Sequence, residues 1–154
     1  MKFRFILSVL VIGLLAIRPI HARQTEEKAV LTVVNNFFDA LEKQDTAAFR
    51  NVSLNESVYY SIRDVENSIR IATQTPSKFT FKPDRVITEQ MKDTGVVVHI
   101  DHRIASVWAP YDLWINKAFS HCGVDVFTLV KIEEGWKISS LTYSVVKEGC
   151  NPKK

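Results

Sequence analysis

IASVWAPYDLWINKAFSHCGVDVFTLVKI, residues 104–132, is the stretch on which the fold turns. Two apolar-rich runs flank Asn116-Lys117, a pair suited to the tip of a two-residue hairpin. Successive side chains on a strand point to opposite faces, so the tip decides which residues share a face. With two residues at the tip, Ile115 faces Ala118 and Trp108 lies opposite Asp125. Asp112 then lies opposite His121, Tyr111 opposite Cys122, and Val107 opposite Val126. One face collects Val107, Ala109, Tyr111, Leu113, Cys122, Val124 and Val126, and this face is the expected core. The other carries Trp108, Asp112, Trp114, Phe119, His121, Asp125, Phe127 and Leu129, too apolar for an ordinary solvated surface. An odd number of residues at the tip would exchange the two sets.

The pattern continues on both sides. Glu133-Glu134-Gly135 reads as a turn into a last strand, 136–146, which adds Trp136, Ile138 and Val130 to the core face if Ile132 pairs with Trp136. Upstream, 85–100 is extended, broken at Asp93-Thr94-Gly95, and Asp101-His102 makes a tight turn. Val58, Tyr60 and Ile62 alternate with Tyr59, Ser61 and Arg63. A turn at 64–67 and renewed alternation at Ile69 and Ile71 give a hairpin, with a helix over 65–73 as the alternative. Thr75-Pro76 opens a short helical turn. Val30, Val33, Val34, Phe37, Phe38 and Leu41 form one stripe of a helix over 24–43, with Thr25 as its expected cap. Asp45 caps a second helix, 46–50.

The first residues read as an export signal. Lys2 and Arg4 precede the apolar run 5–17, and Ile20-His21-Ala22 ends in a small residue suited to cleavage. The run is shorter than the roughly 20 residues a membrane span needs. The expected organisation is a signal over 1–22 and one domain over 23–154. The whole chain carries 20 Lys+Arg against 17 Asp+Glu. Lys2, Arg4 and Arg18 lie within the signal, so the remainder is balanced. No basic run survives to bind nucleic acid.

A helix with an apolar stripe, a short Asp-capped helix and a long bent meander resemble the nuclear transport factor 2-like superfamily. The segments ASVWAPY (105–111), SHCGV (120–124), FTLV (127–130) and GWKI (135–138) are similar to an exported bacterial branch labelled "putative lumazine-binding". The resemblance implies an α+β cone, a curved antiparallel sheet wrapped around the N-terminal helix, with a pocket between them. It also implies dimers through the outer sheet face. The superfamily includes ketosteroid isomerase, scytalone dehydratase and polyketide cyclases beside members with no known reaction, so the fold alone does not give the function.

Two constellations carry chemistry. His121 with Asp112 and Asp125 could be a general acid–base group, with Trp108 as an apolar wall raising a carboxylate's pKa. On an outer face the same residues would be ordinary cross-strand pairs. Tyr111 and Cys122 share the expected core face, and Tyr143 joins them if the last strand bulges near Ser139-Ser140. The tyrosine hydroxyls would then meet either a ligand or the backbone. Cys122 and Cys150 form either a disulfide or two free thiols. No metal-ligand spacing appears, and nothing calls for a cofactor. Glu89 would point into the cone mouth in one of its two registers. Asn51 and Asn55 begin glycosylation sequons, relevant only in a eukaryotic source. Three functions follow: an exported module binding a small apolar or aromatic ligand, a cofactor-independent isomerase, dehydratase or cyclase, or a homodimeric interaction domain.

Overall fold

The computed structural model describes residues 18–152. Lys2, Arg4 and the apolar run assigned to the export signal lie outside the described residues. Helix α1 (Arg18–Glu42) is followed by α2 (Thr46–Asn51), then β1 (Ser53–Val65) and β2 (Ser68–Gln74). A single 3-10 turn (Pro76–Lys78) leads to β3 (Ile87–Met91), β4 (Val97–Asp101), β5 (Ile104–Ile115), β6 (Ala118–Ile132) and β7 (Gly135–Val145). Among the described residues, no helix is long and apolar enough to cross a membrane.

The helices form where local chemistry says they should, with one correction. Val30, Val34, Phe37, Phe38 and Leu41 are buried on one side of α1, with Val33 partly buried beside them. Asp45 accepts a hydrogen bond from Ala48 N at 2.9 Å and so caps α2. Thr25 is not a cap, because α1 begins at Arg18. Glu26, one residue on, instead anchors the helix to the sheet. Its carboxylate accepts from Lys131 Nζ at 2.6 Å and from Trp136 Nε1 at 3.0 Å. These partners hold its pKa below the ordinary value.

The seven strands make one curved, unclosed sheet in the order β2-β1-β7-β6-β5-β3, with β4 also on β5. The sheet is mixed, not wholly antiparallel as the sequence suggested: β1 returns to lie parallel to β7. The far edge of β5 is shared. β3 pairs with its second half and β4 with its first. Between them sits Pro110, which has no N–H to offer a continuous ladder, while its carbonyl accepts from Lys92 N at 2.7 Å. Helix α1 packs on β3, β4 and β7 across the concave face. Phe37 meets Phe49 and Phe127 at ring-centroid separations of 5.4 and 5.2 Å, and each such pair contributes about 0.5–1.5 kcal/mol beyond area burial.

The decisive finding concerns register. Asn116 and Lys117 both have positive φ, 50° and 67°, as a two-residue tip requires. Ile115 pairs with Ala118 and Trp114 with Phe119, but Leu113 then pairs with His121. Ser120 is an extra residue, a β-bulge, and beyond it every β6 side chain points to the face opposite the one expected. Val107 faces Phe127, Ala109 faces Asp125, Tyr111 faces Gly123 and Asp112 faces Cys122. The core face therefore holds His121, Asp125, Phe127 and Leu129, not Cys122, Val124 and Val126. At the β6–β7 tip Ile132 pairs with Gly135, not with Trp136 as expected, so Leu129 lies opposite Ile138 and Val130 falls outside the buried core. A second irregularity, at Ser139, lies where the sequence placed a bulge and brings Tyr143 opposite Asp125.

Candidate functional site

The concave face and the end of α1 enclose a cavity of about 530 Å³. One wall is apolar: Phe37, Leu41, Phe49, Phe79 and Phe81 present rings and methyls. Phe49, Phe79 and Phe81 pack against one another, tilted or edge-to-face, at 4.8–5.5 Å between centroids. The opposite wall is polar and comes from the inward positions of β1, β3, β6 and β7: Ser61, Arg63, Glu89, His121, Asp125 and Tyr143.

The register explains why these side chains meet. Leu113 on β5 is flanked by Glu89 on β3 and His121 on β6, so the three make one row across the sheet. Asp125 lies beside Ala109, whose small side chain leaves it room, and opposite Tyr143. Asp125 is only 1% exposed. Its carboxyl and that of Glu89 share a hydrogen bond. Two carboxyls in contact cannot both ionise away from water, so both pKa values rise, chiefly through desolvation. Glu89 is pushed up to about 8. Asp125 is raised as well, by burial first and then by the charge on Glu89. The pair as a whole therefore keeps a proton near neutrality.

His121 lies on the same face of β6 as Asp125 and lines the same cavity. Its Nδ1 lies 2.9 Å from Ser120 Oγ, the bulge residue, and its ring stands edge-on to Tyr111. Burial lowers its pKa, with Arg63, Lys147 and Arg85 adding to the effect, so the imidazole is neutral at pH 7. Tyr143 is partly buried, and desolvation of its hydroxyl raises its pKa, so it keeps its proton. Three buried polar atoms lining the cavity have no partner: Arg63 Nε, His121 Nε2 and Asp125 Oδ2. Buried polar atoms are ordinarily satisfied, and unsatisfied ones converging on one space mark a place for a ligand.

The remaining sequence candidates lie elsewhere. Tyr111 is fully buried and does not line the cavity; its hydroxyl donates to Ser144 O at 2.8 Å. Trp108 is 50% exposed on the outer face, too far round the strand to wall in Asp125. Asp112 shares that outer side and is 2% exposed beneath Lys92, whose Nζ is 3.0 Å away. It does not pair with His121. Cys122 is bonded to Cys150, tying the C-terminal tail to β6. Neither Cys122 nor Asp112 reaches the cavity. Glu89 takes the register that points into the cavity. Arg63 joins it from β1 on the parity of the buried Tyr59 and Ser61, which the sequence does not mark, because Val58, Tyr60 and Ile62 on the other parity are the more apolar.

A family model described as "Putative lumazine-binding" matches residues 25–144. Comparison with curated proteins finds no match. Among solved structures, a nuclear transport factor 2-like superfamily protein from Salmonella enterica serovar Typhimurium is 13% identical with a TM-score of 0.63, covering 86% of this chain and 99% of its own. A protein from Streptomyces avermitilis, described as a putative dehydratase of the same family, is 15% identical with a TM-score of 0.60 and coverages of 80% and 98%. The beta subunit of a putative aromatic-ring-hydroxylating dioxygenase from Novosphingobium aromaticivorans is 10% identical with a TM-score of 0.63 and coverages of 86% and 95%. At these identities the likeness shows the fold.

Proposed function

Because the chain belongs to the lumazine-binding family of the nuclear transport factor 2-like superfamily, we propose that its cone binds a small planar organic molecule and moves a proton on it without a cofactor. The observation that carries this reading is the Glu89–Asp125 pair at the cavity wall, Asp125 buried with one carboxyl oxygen unpartnered and Glu89 partly buried beside it. Glu89, the first to ionise, takes a proton from a carbon next to a ligand carbonyl. Asp125 and Tyr143, both still protonated, donate hydrogen bonds to the oxygen as it gains charge. The proton then returns from Glu89 to the same carbon or to another. The aromatic wall holds the flat body of the ligand.

The bicyclic ketone 2-tetralone in deuterated buffer is a direct probe. Saturable deuterium exchange at its acidic carbons, above the buffer rate and accompanied by a rise in Tm, is the expected result. A rise in Tm without exchange would favour the second reading, a binding module, which the family's description supports. Neither effect would remove both readings.

Export, with cleavage after Ala22, is also proposed, on the basic and apolar pattern of residues 2–17. N-terminal sequencing of the exported chain would then begin at Arg23, and any other start would contradict it. Val97 and Trp108, paired across β4 and β5 and both exposed, support self-association through the outer face. Sedimentation as a monomer at micromolar concentration would rule that out.

A further inference from the structure

The cavity mouth is charged in a way that proton transfer does not require. Arg63, Lys82, Arg85 and Lys147 line the cavity, and among the described residues Glu89 and Asp125 are the only acidic side chains that do. Among the described residues, none of these four cations takes part in an ion pair. They come from separate parts of the chain: the inward face of β1, the segment before β3, and the tail after β7. Arg63, Lys147 and Arg85 nevertheless all act on one side chain, His121. Arg63 is the deepest. Its field also reaches Tyr111 and Tyr143, and its Nε is buried with no acceptor.

Lys147 is held in place by a covalent device. Cys122 N donates to Val146 O at 3.0 Å and Val146 N returns the bond to Cys122 O at 2.9 Å. The Cys122–Cys150 disulfide then closes the tail beyond Lys147. The outward position of Cys122, a consequence of the Ser120 bulge, is what lets the bridge form on the far side of the strand from the cavity.

Unpaired cations gathered at a concave, partly apolar mouth attract anions. A guanidinium with a free buried donor suits a planar, two-oxygen acceptor. We infer that the natural ligand is an anion, its carboxylate or phosphate ester held at the mouth by Arg63, Arg85 and Lys147 while its body lies against the aromatic wall. This rests on the small-molecule reading above and narrows it. The ligand is bipolar, with an anionic end at the rim and a carbonyl or hydroxyl end at Glu89 and Asp125.

The test compares probes of one shape: 2-naphthoate, 2-naphthyl phosphate and the neutral ketone 2-acetonaphthone, titrated against the full domain by calorimetry. At low salt at least one anion should bind about tenfold or more tightly than the ketone, as expected of a charge-assisted bond. Which anion wins identifies the headgroup. The preference should shrink in 0.5 M NaCl, chosen to screen the mouth. Inorganic phosphate should displace the anions and leave the ketone bound. In Arg63→Gln and Lys147→Gln the anion-to-ketone ratio should fall several-fold. If a variant fails to fold, the salt and phosphate experiments on the unaltered protein still decide the matter. Ketone binding equal to or tighter than both anions would overturn the inference while leaving the cavity reading intact. Failure of all three probes to bind would overturn both.

Discussion

Glu89→Gln will lose about two to four orders of magnitude of deuterium exchange into 2-tetralone, yet at pH 8 the variant will be more stable than the unaltered protein. The two effects have one origin. Glutamine keeps the shape and hydrogen-bonding capacity of Glu89 but cannot ionise, so the base is gone and so is the cost of a buried charge. Asp125→Asn should be milder in rate, because a carboxamide N–H still donates to Glu89 or to a ligand oxygen. The pH dependence has a definite sign. Glu89 has its folded pKa raised from 4.5 to about 8, and Asp125 is raised too. Below pH 4.5 folded and unfolded chains are both protonated, and the contribution to stability is fully present. Between about 4.5 and 8 the unfolded chain releases protons that the folded chain retains, so stability falls by an amount on the order of a few kcal/mol. The exchange rate rises over the upper part of the same window as Glu89 ionises. Urea unfolding at pH 5 and pH 8 should show that decline in the unaltered protein and a smaller one in Glu89→Gln, where Asp125 alone still contributes it. A stability that rose with pH across this window would show that the carboxyls are not buried.

Gly123→Ala should be the most damaging single-methyl change in the sheet. A Cβ at this position would overlap the Ser144 carbonyl oxygen and come within 2.9 Å of Tyr111 Cε1. Neither neighbour can move cheaply. Ser144 O accepts the Tyr111 hydroxyl at 2.8 Å, and Ser144 Oγ accepts Val124 N at 3.1 Å. Gly123 lies directly opposite Tyr111, so the bare backbone is the surface on which that ring lies. The methyl would separate β7 from β6 or expel the ring that braces His121. The expected cost is about 3 kcal/mol or more, which for a domain of this size lowers Tm by on the order of 10 °C. Gly135→Ala, where added bulk meets nothing within 4 Å but φ is +117°, should cost only backbone strain and serve as the milder comparison. Equal melting temperatures for the two variants would mean that Tyr111 is not seated on Gly123.

Features set by a few neighbouring residues were legible in the sequence. The α1 stripe, the Asp45 cap, the Asn116-Lys117 tip and the break at Pro110 each follow from local chemistry. The face assignment of β6 was not, because Ser120 is neither glycine nor proline and gives no local sign of a bulge. Both parities of 121–130 are apolar enough to be core. The parity that buries Phe127 and Leu129 has the larger side chains, but it also buries Asp125. A reading that declines to bury a carboxylate therefore chooses wrongly. The pattern failed at the residue with the most unfavourable burial, which is where a functional site is expected to break the rules of a core. Gly123 opposite Tyr111 is the one cue that could have reversed the choice, since a glycine facing an aromatic ring suits close packing of ring on backbone. Arg63 and Lys147 were less legible still. Their meeting depends on β1 lying parallel to β7 and on a tail tied down by its disulfide, both long-range events.

The central claim is that Asp125 and Glu89 face each other inside the cone and keep a proton near neutrality. Carbon-13 NMR titration of the side-chain carboxyls tests it most directly. Two carboxyl signals should stay at their protonated shifts as the pH is raised through the range in which free carboxyls ionise. The first of the two should move only near pH 8, and Glu89→Gln should remove it. A spectrum in which every Asp and Glu carboxyl has titrated by pH 6 would contradict the account.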